Sequence, residues 1–217
     1  QDTNPDGAGD RPAADYVSGE DGNPNADRRA TYLTTASDLM LTHLGQVRDA
    51  WAPGVDGTYR AEWDGLAPEE GLARVMTGMI ILAGFETGGE RLQTALDSGD
   101  QEDEHSCFSD NTHRDMVQDV QGVWNVWHGK YGTDVVGTGV RDVVAEVNDT
   151  LAAQLDAEID ASLTAAKALK IPFDKEIASG NSEGNERVQT LIEALRKQEG
   201  SLQEVFQLFG LTIPDPE

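Results

Sequence analysis

The chain has 217 residues, with 40 acidic and 16 basic side chains and a formal net charge of -24 at pH 7. That length can bury a core without disulfide staples, and the lone cysteine, Cys107, excludes an intrachain disulfide. The acidity argues against nucleic acid and against an anionic membrane surface as partners, and no apolar run approaches the roughly 20 residues of a membrane span. It means either a solvated, soluble surface or an attraction for cations.

Residues 1–27 are rich in Gly, Pro, Asp and Asn and show no apolar period, so they read as a loop arriving from a preceding element. From residue 28 to 217 the pattern is helical. Leu33, Ala36, Met40, Leu44, Val47 and Trp51 step by three or four and predict a helix near 28–52, ending at Pro53-Gly54. A second, near 68–98, opens on Pro68-Glu69-Glu70, where proline suits the first helical position and acids suit the dipole. Its stripe of Leu72, Val75, Met76, Met79, Ile80 and Ala83 meets an interruption at Gly88-Gly89.

Further stripes predict helices near 110–129 (Met116, Val120, Val123, Trp127), 138–169 (Val140 to Leu163) and 184–209 (Val188 to Phe209, closed by Gly210). No alternating strand pattern of useful length is present. The fold class is therefore all-α, an antiparallel helical bundle.

The chemistry concentrates in "QEDEHSCFSDNTHRD", residues 101–115, which holds two of the four histidines and the only cysteine. If Ser109 caps the third helix, Asp110 and His113 fall at i, i+3 on one face, and Glu102 and His105 have the same spacing. Carboxylate with imidazole at that spacing is a recurring metal-ligand arrangement in helical bundles, suited to iron or zinc. The plainer reading is a polar helix-to-helix turn, since acids also answer the helix dipole. Ser106, Cys107 and His113 allow a nucleophile-and-base reading, with no oxyanion hole to support it. His43 reads as a packed helical histidine, His128 as a structural residue at a helix end, and Trp124 and Trp127 as core. Glu86 and Glu90 read as a solvated pair, with Glu86 able to turn inward. No His-Glu-x-x-His, Cys-x-x-Cys or Walker loop is present.

"LAGFETGGERL" (82–92), "SGDQEDEHSCFSDNTHRD" (98–115) and the opening "QDTNPDGAGDRP" together resemble the imelysin family, nearest to its iron-regulated protein A branch. The resemblance covers essentially the whole chain. It implies one half of a pair of joined helical bundles, with a site between the halves. It also implies a periplasmic or outer-membrane-associated protein that binds iron or an iron-containing ligand and supports uptake. The alternative it carries is a metal-dependent peptidase of the imelysin type, related to insulin-cleaving metallopeptidases. The family's Gly-x-His-x-x-Glu signature is absent, so the expectation is a C-terminal half whose partner is the N-terminal half of the same protein. The acidic-histidine block carries over as Glu104, His105, Asp110 and His113, the expected metal ligands. Around them stand Cys107, Ser109, Asn111 and Thr112 as binding residues, with Glu86 and Arg91 orienting the block from the neighbouring helix.

Overall fold

The computed structural model describes residues 12–19 and 25–211, which divide into two units with the boundary between residues 71 and 72. The expected loop over 1–27 lies largely outside the described residues. Within it, Ala13–Tyr16 form a 3-10 turn, and the first helix, α1 (Ala26–Ala50), already begins.

In the first unit, only Ala26 of α1 is buried, and Leu33, Met40, Leu44 and Val47 are exposed. Among the described residues His43 is exposed as well, not packed as the pattern suggested, and the apolar side chains around it are exposed with it. The turn after α1 is gathered by aromatic rings, with the centroid of Trp51 5.0 Å from that of Tyr59 and 5.8 Å from that of Trp63. The last two rings belong to α2 (Tyr59–Asp64), whose N-cap Thr58 accepts a hydrogen bond from the Ala61 N–H at 3.3 Å.

The second unit is a helical bundle. Helix α3 (Pro68–Ile80) runs without a break into a π-helical segment (Ile81–Gln93) and α4 (Thr94–Ser98). After the polar block come α5 (Thr112–His128), a two-residue-per-strand hairpin (β1 Lys130–Tyr131, β2 Asp134–Val135), α6 (Val140–Ala168), α7 (Phe173–Ile177) and α8 (Ser182–Leu208). The pairing is antiparallel, since partner numbers fall on one helix as they rise on the other. Gln154 and Glu158 of α6 meet Ser201 and Lys197 of α8, and Trp124 and Trp127 of α5 meet Asp160 and Asp156 of α6.

The helical stripes build two adjoining apolar clusters. One gathers Met76, Ile80, Trp127, Leu155, Ile159, Leu202 and Phe206, and the other Leu92, Met116, Val120, Phe173, Ile177, Leu191 and Leu195. Each such side chain contributes about 1.5–3 kcal/mol on burial. Trp127 is fully buried as expected, with its indole N–H donated to Asp156 at 2.7 Å, whereas Trp124 is only partly buried. His128 ends α5 with its ring 4.3 Å from that of Trp124, and burial lowers its pKa.

Gly88-Gly89 does not interrupt the second helix. The wider π turn carries both glycines, and the face with Gly84 and Gly88 lies against α8. A Cβ at Gly84 would overlap the Glu199 carboxylate, the far end of a flexible side chain, and one at Gly88 would sit in ordinary contact, 3.6 Å from the Leu195 Cβ.

Candidate functional site

The block begins where Gly99, in the left-handed region at φ 65°, ends α4. A 3-10 turn follows, Gln101–Asp103, with the Asp100 carboxylate accepting the Glu102 N–H at 3.0 Å. The chain then folds on Ser106, whose carbonyl accepts the N–H groups of Ser109 and Asp110 at 3.1 and 2.9 Å. Asp110 sits at φ 53°, a left-handed backbone that cannot belong to a helix. Helix α5 therefore starts at Thr112 with Asn111 as its N-cap residue, not at Ser109. This corrects the expected helical pairing of Asp110 with His113, and Glu102 and His105 do not share a helix either. The Ser109 hydroxyl is exposed and donates to the Ser106 carbonyl at 3.3 Å.

The block has two sides. The outer one centres on Asp115, in the first turn of α5. One oxygen accepts the Asn111 amide at 2.8 Å, and the other meets His105 Nδ1 at 3.1 Å and the Ser106 hydroxyl. The Thr112 hydroxyl oxygen accepts the Ser106 N–H at 3.0 Å and ties the turn to the helix. One turn further along α5, Asp119 accepts the Thr87 hydroxyl of the π-helix at 3.3 Å. Burial raises the Asp119 pKa, opposed by Thr87, His105 and Arg91. Asp115, Asp119 and Thr87 were not among the expected site residues. The signal that could have found the two acids is their i, i+4 spacing on the face that continues from Asn111.

Glu86 and Arg91 were expected to orient the block, but they pair with each other at 3.1 Å and neither bonds to residues 101–115. The π turn instead brings Thr87 to α5. Cys107 is a partly buried free thiol whose carbonyl accepts the Gln101 amide at 3.4 Å.

The inner side centres on Glu104, whose residue is only 6% exposed and whose two oxygens have no hydrogen-bond partner. Burial pushes its pKa to about 7, and the charges of Asp174 and Asp110 add to the rise. Thr112 pulls the other way without closing a hydrogen bond of ordinary geometry. Asp110 Oδ1, His113 Nδ1 and Asp174 Oδ1 are likewise buried without partners. Among the described residues, no three His, Cys, Asp or Glu side chains come together to hold a metal ion. Glu104, His105, Asp110 and His113 therefore do not close a ligand set by themselves, because His105 is committed to Asp115 while Glu104 is turned into the protein.

Chemically, Asp115 sets the orientation of the His105 ring. In the neutral tautomer that donates Nδ1–H to the carboxylate, Nε2 carries the lone pair available to a ligand or a metal. Ser106 gives its proton toward Asp115, so no imidazole withdraws it, and the arrangement is not that of an activated nucleophile.

Fold and site thus define an all-α protein with a carboxylate-oriented histidine at the head of a bundle helix. The family model described as imelysin, Peptidase_M75, matches residues 1–202, and the chain belongs to the imelysin family. No curated protein matches it. Among the described residues, no helix is long and apolar enough to cross a membrane.

Proposed function

We propose that this chain is a binding component of the imelysin type, which engages a divalent metal, iron foremost, or an iron-containing ligand through His105. Its place is the periplasm or the outer-membrane surface, and its role is support of iron uptake. The observation that carries the reading is the His105–Asp115 pair at 3.1 Å, with Asn111 and Ser106 holding the same carboxylate. A metal-ligating imidazole usually donates its other N–H to such a carboxylate, which fixes the ring and raises its basicity.

Imidazole with nearby carboxylates suits iron or zinc. Fewer than three of this chain's described ligand-type side chains gather at any one point. The remaining ligands therefore come from the bound molecule, from water, or from another segment such as an N-terminal bundle of the same protein. A bound metal would supply Lewis acidity; this chain's own residues orient His105 and keep Nε2 free.

The family's label names a peptidase, and metal-dependent cleavage of an unfolded protein is the second reading. Equilibrium dialysis against Fe2+ and Zn2+ with metal analysis separates the two. Binding without turnover that is lost in His105→Ala supports the binding component. Cleavage of an unfolded substrate abolished by the same change supports the peptidase. Undiminished binding in His105→Ala overturns the assignment of this residue.

A further inference from the structure

Helix α1 is 25 residues long, about 37 Å at 1.5 Å per residue, and none of its residues belongs to either apolar cluster of the bundle. Ala30, Leu33, Ser37, Met40, Leu44 and Val47 follow one another by alternate steps of three and four. That is a period of 3.5, the narrow seam by which one helix meets another, and not the wider stripe of a helix laid on a globular core. Leu33, Met40, Leu44 and Val47 are each 52–58% exposed. The Ser37 hydroxyl donates to the Leu33 carbonyl at 2.8 Å, so the polar member of the seam is satisfied within its own helix. Thr31, Thr34, Thr35, Thr42 and Gly45 make α1 a poor helix former by composition, and a helix of that kind is held by packing of its apolar face. Charge sets α1 apart as well. Arg28, Arg29 and Arg48 balance Asp27, Asp38 and Asp49, so the helix is neutral in a chain of -24.

We propose that α1 is a self-association surface, pairing antiparallel with α1 of a second copy of this chain. The register follows from the seam. About a two-fold axis between Asp38 and Leu39, Leu33 faces Leu44 of the second copy, Ser37 faces its Met40 and Ala30 its Val47, so each seam residue meets a seam residue. The same register sets Asp27, on the flank of the seam, opposite Arg48 of the second copy, and symmetry repeats that pair at the other end. Asp27 is exposed. Arg48 pairs with its chain neighbour Asp49, the two side chains being 79% and 69% exposed, and a surface pair of that kind exchanges partners at little cost. Parallel pairing has no such match, because it sets Arg48 beside His43 of the second copy and leaves Asp27 facing no residue of the helix. A strongly charged partner finds no excess of opposite charge on α1, whereas a second copy supplies the apolar row and both signs of charge. At about 0.15 M salt the acidic surplus of the two copies is screened beyond about 8 Å, while the seam contacts are direct.

The test is sedimentation equilibrium of the full chain at that salt, from low micromolar to submillimolar concentration, with hydrogen exchange of the α1 amides followed over the same range. A reversible dimer forms, and the α1 amides slow only as it forms. Leu44→Glu, which puts two carboxylates into the seam by symmetry, weakens association by at least about a hundredfold. Val135→Glu, at an equally exposed apolar side chain of the hairpin, changes nothing. Arg48→Asp creates two like-charge pairs and weakens the dimer by about three- to tenfold, and adding Asp27→Arg restores it. All these side chains are exposed, so circular dichroism of each variant matches wild type. A monomer at every concentration overturns the proposal, and slow α1 exchange in that monomer shows that another part of the protein covers the seam. A dimer indifferent to Leu44→Glu overturns the surface, and one indifferent to Arg48→Asp, or not restored by the charge swap, overturns the antiparallel register.

Discussion

Two buried glutamates show how this protein separates structure from site. Glu176, on α7, is 2% exposed, and Glu104, in the block before α5, is 6% exposed. The Arg187 guanidinium grips Glu176 with two bonds of 2.7 and 2.6 Å, and the Lys170 N–H adds a third at 3.2 Å. Burial alone would raise its pKa, but these donors outweigh it and hold the carboxyl below its ordinary value. Glu104 is also buried but has no donor of ordinary geometry, and burial, with the charges of Asp174 and Asp110, raises its pKa to about 7. One acid is a finished clamp that seats α7 against α8. The other is an unanswered group beside an oriented histidine, and unanswered groups are where ligands and protons act.

The largest break in this comparison comes from Arg187→Met. It leaves Glu176 buried without its guanidinium partner and gives the largest drop in unfolding free energy of these variants, read by urea denaturation at neutral pH. Glu176 has a depressed folded pKa, so the stability it contributes is present above the unfolded value and fades as pH falls through the folded one. The gap between wild type and variant must close in acid; a constant gap would mean that packing, not charge, was lost.

Glu104→Gln runs the other way. With a folded pKa raised from 4.5 to about 7, wild type holds its proton while the unfolded chain has released it, so stability falls as pH rises through that window. The variant is therefore more stable than wild type at pH 8, by on the order of 2 kcal/mol, and equal to it below the unfolded pKa. Equal stability at both pH values would show that Glu104 finds a partner in solution.

Asp115→Asn keeps the size of the hub but loses its charge and one acceptor oxygen. Metal or ligand binding through His105 weakens by about tenfold or more, with little change in helix content by circular dichroism. Unchanged affinity would detach His105 from its supposed anchor. The smallest effect belongs to Arg91→Met. Its pair with Glu86 is exposed on both sides, and the change moves stability by no more than about 0.5 kcal/mol. A larger loss would show that Arg91 supports Asp119 more than its geometry suggests.

The main helices were legible because each carries a stripe long enough to report its own period. Expected spans of 28–52, 68–98, 138–169 and 184–209 compare with observed helices at 26–50, 68–98, 140–168 and 182–208. The third start was misplaced because Ser109 and Asn111 are both good cap residues, and only the left-handed turn at Asp110 decides between them. Helices α2 and α7, at six and five residues, and the two-residue strands are too short to show a period at all.

For the site, the sequence located the block, and the structure rearranged its members. His105 was expected beside Glu104 and His113, yet its bonded partner is Asp115, ten residues on in sequence. The π-helix contributes Thr87 instead of Glu86 or Arg91, because the wider turn changes which residues face α5. Local pattern determined the all-α class, the core stripes and the stretch where chemistry gathers, since periodicity and composition are properties of neighbours in the chain. Which acid is clamped, which is left without a donor and which one orients the histidine was decided only in three dimensions. Those outcomes depend on donors arriving from other segments, and burial makes each arrival or absence decisive.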